Sequence, residues 1–375
     1  MAGIYIHIPF CKQACFYCDF HFSTSLQKKD EMINSLIREL QIRKNELQNT
    51  PIETIYFGGG TPSVLSVDEI QLLMNAVYDT YPVIENPEVT LEANPDDLTE
   101  EKISAFSMSP INRLSIGVQS FFEKDLILMN RAHNSQEAKN CLSIATQYFK
   151  NISVDLIYGI PNCTNQEWLE NIRMALSFGI SHISSYALTV EPKTALESLI
   201  KKGKIEMTSD QVAQEQFHLL TDELEKHHFV HYELSNFGKE NYFSKNNTAY
   251  WLGKSYLGFG PSAHSFDGKK RSWNIRNNVT YIKSLQTDQL PIEREVLTKT
   301  DQYNEYIMTG LRTIWGVSLQ KIEQNFGKNY RTYLQNQSKK YIQQDLLYFE
   351  DKILKTTKKG KFLVDGIASD LFMLN

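Results

Sequence analysis

The sequence predicts an α/β protein built on a parallel sheet, and three observations carry that reading. Short β-type runs alternate with amphipathic helical runs through the first half of the chain. Six βα repeats in a row require crossover connections, hence a parallel sheet that is either doubly wound or curled into a partial barrel. Helix-start signals stand where the helices should begin: Ser66 precedes Val67-Asp68-Glu69, and Thr99 precedes Glu100-Glu101. At 375 residues the chain is too long for one small domain and can bury a sizeable core.

The pattern places strands near residues 4–8, 52–57, 88–92, 113–119, 153–158 and 182–188. Between them it places amphipathic helices, among them 29–47, 67–81, 135–149 and 165–178. A longer helical stretch at 209–228 leads to a strand-like segment at 230–234. Residues 236–276 are rich in Asn, Gly, Ser and aromatics with little helical period, which marks a solvated connection or a site-building insertion. From about residue 299 the chain reads as a separate unit: helices near 303–314, 318–325 and 330–345, then strands at 354–356 and 362–364 flanking Lys358-Lys359-Gly360 as a hairpin. Helices followed by a two-stranded wing resemble a winged helix. The expected division is 1–235, 236–298 as a loop-rich extension, and 299–375.

Composition narrows the class. Hydrophobic content of 41% and charged content of 22% are those of a soluble globular protein. A net charge of -5 argues against a nucleic-acid partner. The five lysines between Lys352 and Lys361 do not change this, since no arginine-bearing recognition helix accompanies them. No apolar run approaches the roughly 20 residues of a membrane span. Ile4, Ile6 and Ile8 alternate and Cys11 interrupts them, so the N-terminus is no signal peptide. The expected compartment is the cytoplasm.

Three of the five cysteines fall within eight residues, as Cys11-x3-Cys15-x2-Cys18, in a loop directly after the first strand. A secreted disulfide scaffold would spread its cysteines. Three thiolates at this spacing can hold three irons of a cubane cluster, leaving the fourth open. Zinc is the rival, with His21 as a fourth ligand. Cys141, within a helix, and Cys163, in a turn, read as ordinary residues.

Polar residues gather at successive strand ends. Gly58-Gly59-Gly60-Thr61-Pro62 follows the second strand, where glycines allow close approach to a ligand and are expected to expose N–H donors. Glu92, Gln119 and Asp155 stand at later strand ends. In a parallel barrel such side chains converge on one mouth. Each alone would pass for a cap or turn residue; together they read as a site.

The cysteine motif after the first strand of a βα repeat resembles that of the radical S-adenosylmethionine (SAM) enzymes. Its flank, Tyr5-Ile6-His7-Ile8-Pro9-Phe10-Cys11, is similar to the oxygen-independent coproporphyrinogen oxidase family and its heme-chaperone (HemW-type) relatives, over essentially the whole chain. The resemblance implies a partial (β/α)6 radical-SAM barrel with a winged-helix-like C-terminal unit. It implies a 4Fe-4S cluster on Cys11, Cys15 and Cys18, and S-adenosyl-L-methionine held by Tyr5, Tyr17, Gly59, Gly60, Thr61, Glu92, Gln119, Arg131, Asp155 and Ala187. The glycine segment would meet the methionine amino group, the backbone at Tyr17 the adenine, and Arg131 a carboxylate.

Two functions divide the family. One is oxidative decarboxylation of coproporphyrinogen III propionates by a 5′-deoxyadenosyl radical. The other is a chaperone that holds heme as cargo and hands it to respiratory proteins at the membrane surface, with a homodimer as one allowed assembly. The oxidase pattern continues CxC after the third cysteine, whereas Cys18 is followed by Asp19 and Phe20. The oxidase also has a long N-terminal extension, and only ten residues precede Cys11 here. The chaperone branch carries HNxxYW, matched by Asn247, Tyr250 and Trp251 but with Asn246 in place of the histidine. An amide is a poor heme ligand, so His264, beside a glycine-rich loop, is the alternative axial candidate. His227, His228 and His231 read as a solvated helix-end cluster. The expectation is therefore a heme chaperone, with the oxidase as alternative and an unrelated radical-SAM enzyme third.

Overall fold

The computed structural model describes residues 1–374. The six repeats are present. Strands β1 (Ala2–Ile8), β2 (Ile52–Gly59), β3 (Val83–Ala93), β4 (Arg113–Gln119), β5 (Ile152–Tyr158) and β6 (His182–Ala187) lie side by side and parallel. Between them run α1 (Lys29–Ile42), α2 (Val67–Thr80), α3 (Glu100–Ser107), α4 (Glu123–Leu128), α5 (Ser135–Tyr148) and α6 (Asn165–Ser177). The starts of α2, α5 and α6 are encoded locally. Ser66, Asn134 and Thr164 each accept the backbone N–H of a glutamate three residues on, whose carboxylate reaches back to the cap. Helix α1 stops at Ile42 rather than near residue 47. The chain breaks there into turns, with Gln48 and Asn49 in the left-handed region, and Pro51 O accepts the N–H of Ala2 at 2.9 Å.

Register distinguishes a barrel from a doubly wound sheet. Ile4, Ile55, Leu91, Leu114, Val154 and Ile183 are fully buried on the face that the helices cover. The opposite face carries Tyr5, Tyr56, Glu92, Arg113, Ser115, Ser153, Asp155 and His182, in lateral pairs such as Tyr5 with Tyr56 and Ser153 with His182. A sheet covered by helices on both sides would be apolar on both. One apolar and one polar face, in parallel strands, is the pattern of a sheet curled around a polar interior.

Helices α7 (Ala195–Lys201) and α8 (Asp210–Lys226) follow, and β7 (Val230–Glu233) and β8 (Asn236–Gly238) return antiparallel beyond β6. His231 is not a solvated residue. It is buried, stacked on Phe237 at 4.0 Å, so strand pairing and not the helix end decides its environment.

The stretch after residue 238 contains α9 (Lys245–Trp251) and four short strands that its composition does not announce. These are β9 (Tyr256–Phe259), β10 (His264–Phe266), β11 (Lys270–Asn274) and β12 (Ile292–Val296), with α10 (Asn278–Leu285) before the last. Strand β9 pairs parallel to β1, and β10, β11 and β12 continue antiparallel, giving one twelve-stranded sheet. A buried ion pair secures this addition to α1. Arg43 Nη1 lies 2.8 Å from Glu39 Oε1 and 2.7 Å from Gly258 O, while Glu39 also accepts from Gly260 N and Asn274 Nδ2.

The remaining chain has its own core, around Tyr303, Ile307, Ile322, Leu334 and Leu354. Its order is α11 (Lys299–Leu311), β13 (Val317–Ser318), α12 (Leu319–Phe326), α13 (Lys328–Gln343), β14 (Leu347–Glu350), β15 (Ile353–Thr356) and α14 (Val364–Asp370), with strands arranged β13-β15-β14. This is the succession of a winged helix. The hairpin, however, joins β14 to β15 through Asp351 and Lys352, not through Lys358-Lys359-Gly360. Asp351 and Lys352 both take positive φ, the backbone a two-residue turn needs, without the glycine that would advertise it. Residues Lys361–Leu363 form a 3-10 turn leading into α14.

Candidate functional site

The cysteine loop leaves the end of β1 and is stitched to its surroundings on several sides. Cys11 N–H donates to Ser23 O (3.1 Å), Gln13 Nε2 to Asn130 O (3.0 Å), Asn130 Nδ2 to Ala14 O (2.8 Å), and Phe16 N–H to Met129 O (3.0 Å). Lys12 pairs with Asp96 and Asp97. Cys11 is buried; Cys15 and Cys18 are partly exposed. Thr61 Oγ1 donates to Cys11 Sγ at 3.2 Å. Burial pushes the Cys11 thiol up to about 12 and the Cys18 thiol to about 11, with the neighbouring cysteines adding repulsion. Such thiols ionise at neutral pH only against a metal.

Among the described residues, no three Cys, His, Asp or Glu side chains close on a single ion. His21, the candidate fourth zinc ligand, instead sets Nε2 2.7 Å from Asn278 Oδ1. Arg131 shows what else the loop expects. Its Nη1 points at Cys15 Sγ (3.3 Å) and Tyr17 Oη (3.4 Å), and its Nη2 at Asn94 Oδ1 (2.7 Å) and Gly117 O (2.8 Å). Its buried Nε has no partner, and no carboxylate among the described residues pairs with it. Three thiols facing an uncompensated cation suit an anionic group larger than one ion. A 4Fe-4S cluster on three thiolates, beside a ligand with a carboxylate, fits that requirement.

The strand-end residues meet on the polar face. Glu92 accepts from Tyr56 Oη at 2.7 Å and from Gly59 N–H at 3.3 Å, and Asp155 accepts from Ser115 Oγ at 3.2 Å. Burial, then the neighbouring Glu92, raises the Asp155 carboxyl to about 7; burial also raises Glu92. Beneath them Arg113 is buried, with Nη2 3.4 Å from His182 Nδ1, and its charge favours both carboxylates. Gln119 holds a left-handed backbone at the end of β4 (φ 67°), and a Cβ at Gly117 would come 2.9 Å from its amide nitrogen. Ala187 closes β6 beside the exposed Tyr186.

The glycine turn corrects one expectation. Its N–H groups are not free: Gly60 donates to Ile8 O (2.9 Å), Thr61 to Phe10 O (2.7 Å), and Gly59 to Glu92. What the turn can offer a ligand is its carbonyls, and an ammonium needs acceptors. The glycines are there for fit. Gly59 has φ 108°, and a Cβ on it would meet His7 at 2.4 Å. The residues that sequence reading missed are Asn94, Arg113, Tyr56 and Gly117. Asn94, in Leu91-Glu92-Ala93-Asn94-Pro95, is the one with a visible signal, standing two residues past Glu92.

A cavity of about 1180 Å³ opens beside this ring. Tyr5, Glu92 and Tyr186 form part of its wall, and Asn247, Tyr250, Trp251 and His264 another part. Tyr250 stacks on Tyr256 at 4.1 Å, and Trp251 lies under the guanidinium of Arg312 at 5.1 Å. Asn246 is buried, with Oδ1 accepting from Thr54 Oγ1 at 3.1 Å, so it serves as a strut to β2. His264 is exposed overall and, through partial desolvation and then the charge of Arg271, shifted toward the neutral form. Phe20, 68% exposed, also lines the cavity.

A partial barrel with three cysteines after β1 is the architecture of the radical SAM proteins, and residues 5–175 match the Radical SAM superfamily while residues 297–363 match the HemN C-terminal domain. The chain is 33% identical over 367 residues to the heme chaperone HemW of Bacillus subtilis (strain 168), spanning 97% of each chain. It is 33% identical over 374 residues to the heme chaperone HemW of Lactococcus lactis subsp. lactis (strain IL1403), again spanning 97% of each. It therefore belongs to the HemW family of radical SAM proteins. Its fold superposes on the coproporphyrinogen III oxidase HemN from Escherichia coli with a TM-score of 0.86 at 21% identity, over 99% of this chain and 90% of that one. Membership of the radical SAM family implies a 4Fe-4S cluster and SAM. No helix among the described residues is long and apolar enough to cross a membrane.

Proposed function

We propose that this chain is a heme chaperone that holds a 4Fe-4S cluster and SAM at the barrel mouth, takes heme into the adjoining cavity, and delivers it to respiratory proteins. One observation carries the reading. A single cavity is walled both by strand-end residues, Tyr5 and Glu92, and by the aromatic pair Tyr250 and Trp251. Cargo and cofactor would thus share one chamber. The names of the Bacillus subtilis and Lactococcus lactis relatives support the same cargo.

Cys11, Cys15 and Cys18 would hold three irons. The Gly59-Gly60-Thr61 turn would receive the ammonium of SAM, Arg131 its carboxylate, and Glu92, Gln119 and Asp155 its polar groups, with Tyr5, Tyr17 and Ala187 packing against it. When bound, the cluster would supply one-electron reducing chemistry beside SAM. Tyr250 and Trp251 would pack on the porphyrin, Asn247 would border it, and His264 would be the axial ligand; its neutral form can coordinate iron. The chain would divide into barrel (1–235), extension (236–298) and C-terminal unit (299–375). It would work in the cytoplasm, peripherally at the membrane surface where its acceptors reside, with a homodimer as one allowed assembly.

The test incubates anaerobically reconstituted protein with SAM, a reductant and coproporphyrinogen III, and titrates heme in parallel. Saturable heme binding without decarboxylation is expected. Protoporphyrinogen formation with no heme affinity would overturn the chaperone reading in favour of the oxidase.

A further inference from the structure

The C-terminal unit walls one side of the cavity, and its contribution includes two cations. Along α11, Gln302, Tyr306 and Thr309 line the cavity at three- and four-residue spacing, and Arg312 caps the helix on the same side. The Arg312 guanidinium lies 5.1 Å from the Trp251 ring centre. Its Nη1 is 3.1 Å from Asp365 Oδ1, but Asp365 is 56% exposed, so water weakens the pair. Its buried Nε has no hydrogen-bond partner. Lys321, in the first turn of α12, rests its Nζ 4.6 Å from the Tyr306 ring centre and makes no ion pair among the described residues.

Asp365 and the field of Glu233 offset Arg312 in part, whereas Lys321 has no carboxylate partner among the described residues. Glu305 is held by Arg271 at 2.9 Å, and Glu233 is buried and hydrogen-bonded by Asn236. Two cations, each seated on an aromatic ring, thus border one wall of an aromatic cavity. A flat apolar ligand bearing two carboxylates has the complementary chemistry.

We propose that Arg312 and Lys321 anchor the two propionate carboxylates of heme, so that the C-terminal unit selects a porphyrin with free acid groups. This rests on the heme reading above. Full-length protein is titrated with hemin and with hemin dimethyl ester, whose carboxyls are capped, following the Soret band. The wild-type chain is expected to bind hemin about tenfold more tightly than the ester. Arg312→Gln and Lys321→Gln should each lose most of that preference while keeping their affinity for the ester. Lys321 is exposed, so its variant keeps the fold even if loss of the Arg312–Asp365 pair does not. Equal wild-type affinity for both ligands, or parallel loss of both in the two variants, overturns the anchors and leaves the heme reading standing. Failure of the wild-type chain to bind either ligand removes both.

Discussion

The Arg131 guanidinium stands 3.3 Å from Cys15 Sγ while its other terminal nitrogen is fixed 2.7 Å from Asn94 Oδ1. Asn94 and Gly117 O aim the cation; they do not neutralise it. A fixed positive charge beside an iron-sulfur cluster favours the more negative, reduced state. Arg131→Gln should therefore keep its iron yet lower the cluster midpoint potential by on the order of 50 mV. Redox titration followed by EPR reads this directly, and an unchanged potential would remove the electrostatic role.

The cluster itself should depend on the three loop cysteines. Reconstituted protein should carry about four irons and matching sulfide per chain, and Cys15→Ala should lose most of both. A stoichiometric zinc with no sulfide would end the radical-SAM chemistry proposed for the loop.

SAM affinity should depend on the strand-end carboxylates. Removing a buried carboxylate that accepts charge-assisted hydrogen bonds costs about 1.5–3 kcal/mol, so Glu92→Ala and Asp155→Ala should each weaken SAM binding about tenfold or more by calorimetry. Unchanged affinity in both would place the cofactor elsewhere.

The ligand-free protein should lose stability as pH rises. Asp155 has a folded pKa raised to about 7, above its unfolded value, so the folded chain holds its proton longer. Stability is then fullest below about pH 4 for this group and declines as pH climbs to about 7, where the buried carboxylate is charged in the folded state. The decline is on the order of 2–4 kcal/mol, and Asp155→Asn should abolish it. Urea melts of both proteins between pH 5 and 8 make the comparison; parallel profiles would contradict it.

Heme binding should be weakened, not abolished, by Trp251→Ala, since ring packing contributes about 0.5–1.5 kcal/mol beyond area burial. His264→Ala should shift the heme absorption spectrum if it ligates the iron. A spectrum identical to wild type would transfer axial ligation to another side chain.

The barrel repeats were legible because their information is local. Alternating isoleucines in β1, and Ser66 or Thr164 with a glutamate three residues on, specify strand and helix start without knowledge of anything distant. The cysteine triplet stood out for the same reason, since its spacing lies within one loop. Strands β9 to β12 were not, because they are three to five residues long and owe their existence to neighbours such as β1. The Asp351-Lys352 turn was hidden because lysine seldom adopts positive φ and no glycine marks the turn. Asn94 and Gly117 escaped notice because their part is defined only by where Arg131 arrives.

Strand β1 lies between β2 and β9, and its Gly3 pairs with Tyr256, about 250 residues further along the chain. During synthesis at roughly 5–20 residues per second, some 12–50 seconds pass between the emergence of the cysteine loop and that of its strand's second neighbour. For that interval Cys11, Cys15 and Cys18 hang from an unfinished edge. The strand that carries the cysteine loop is thus paired on one side long before it is paired on the other.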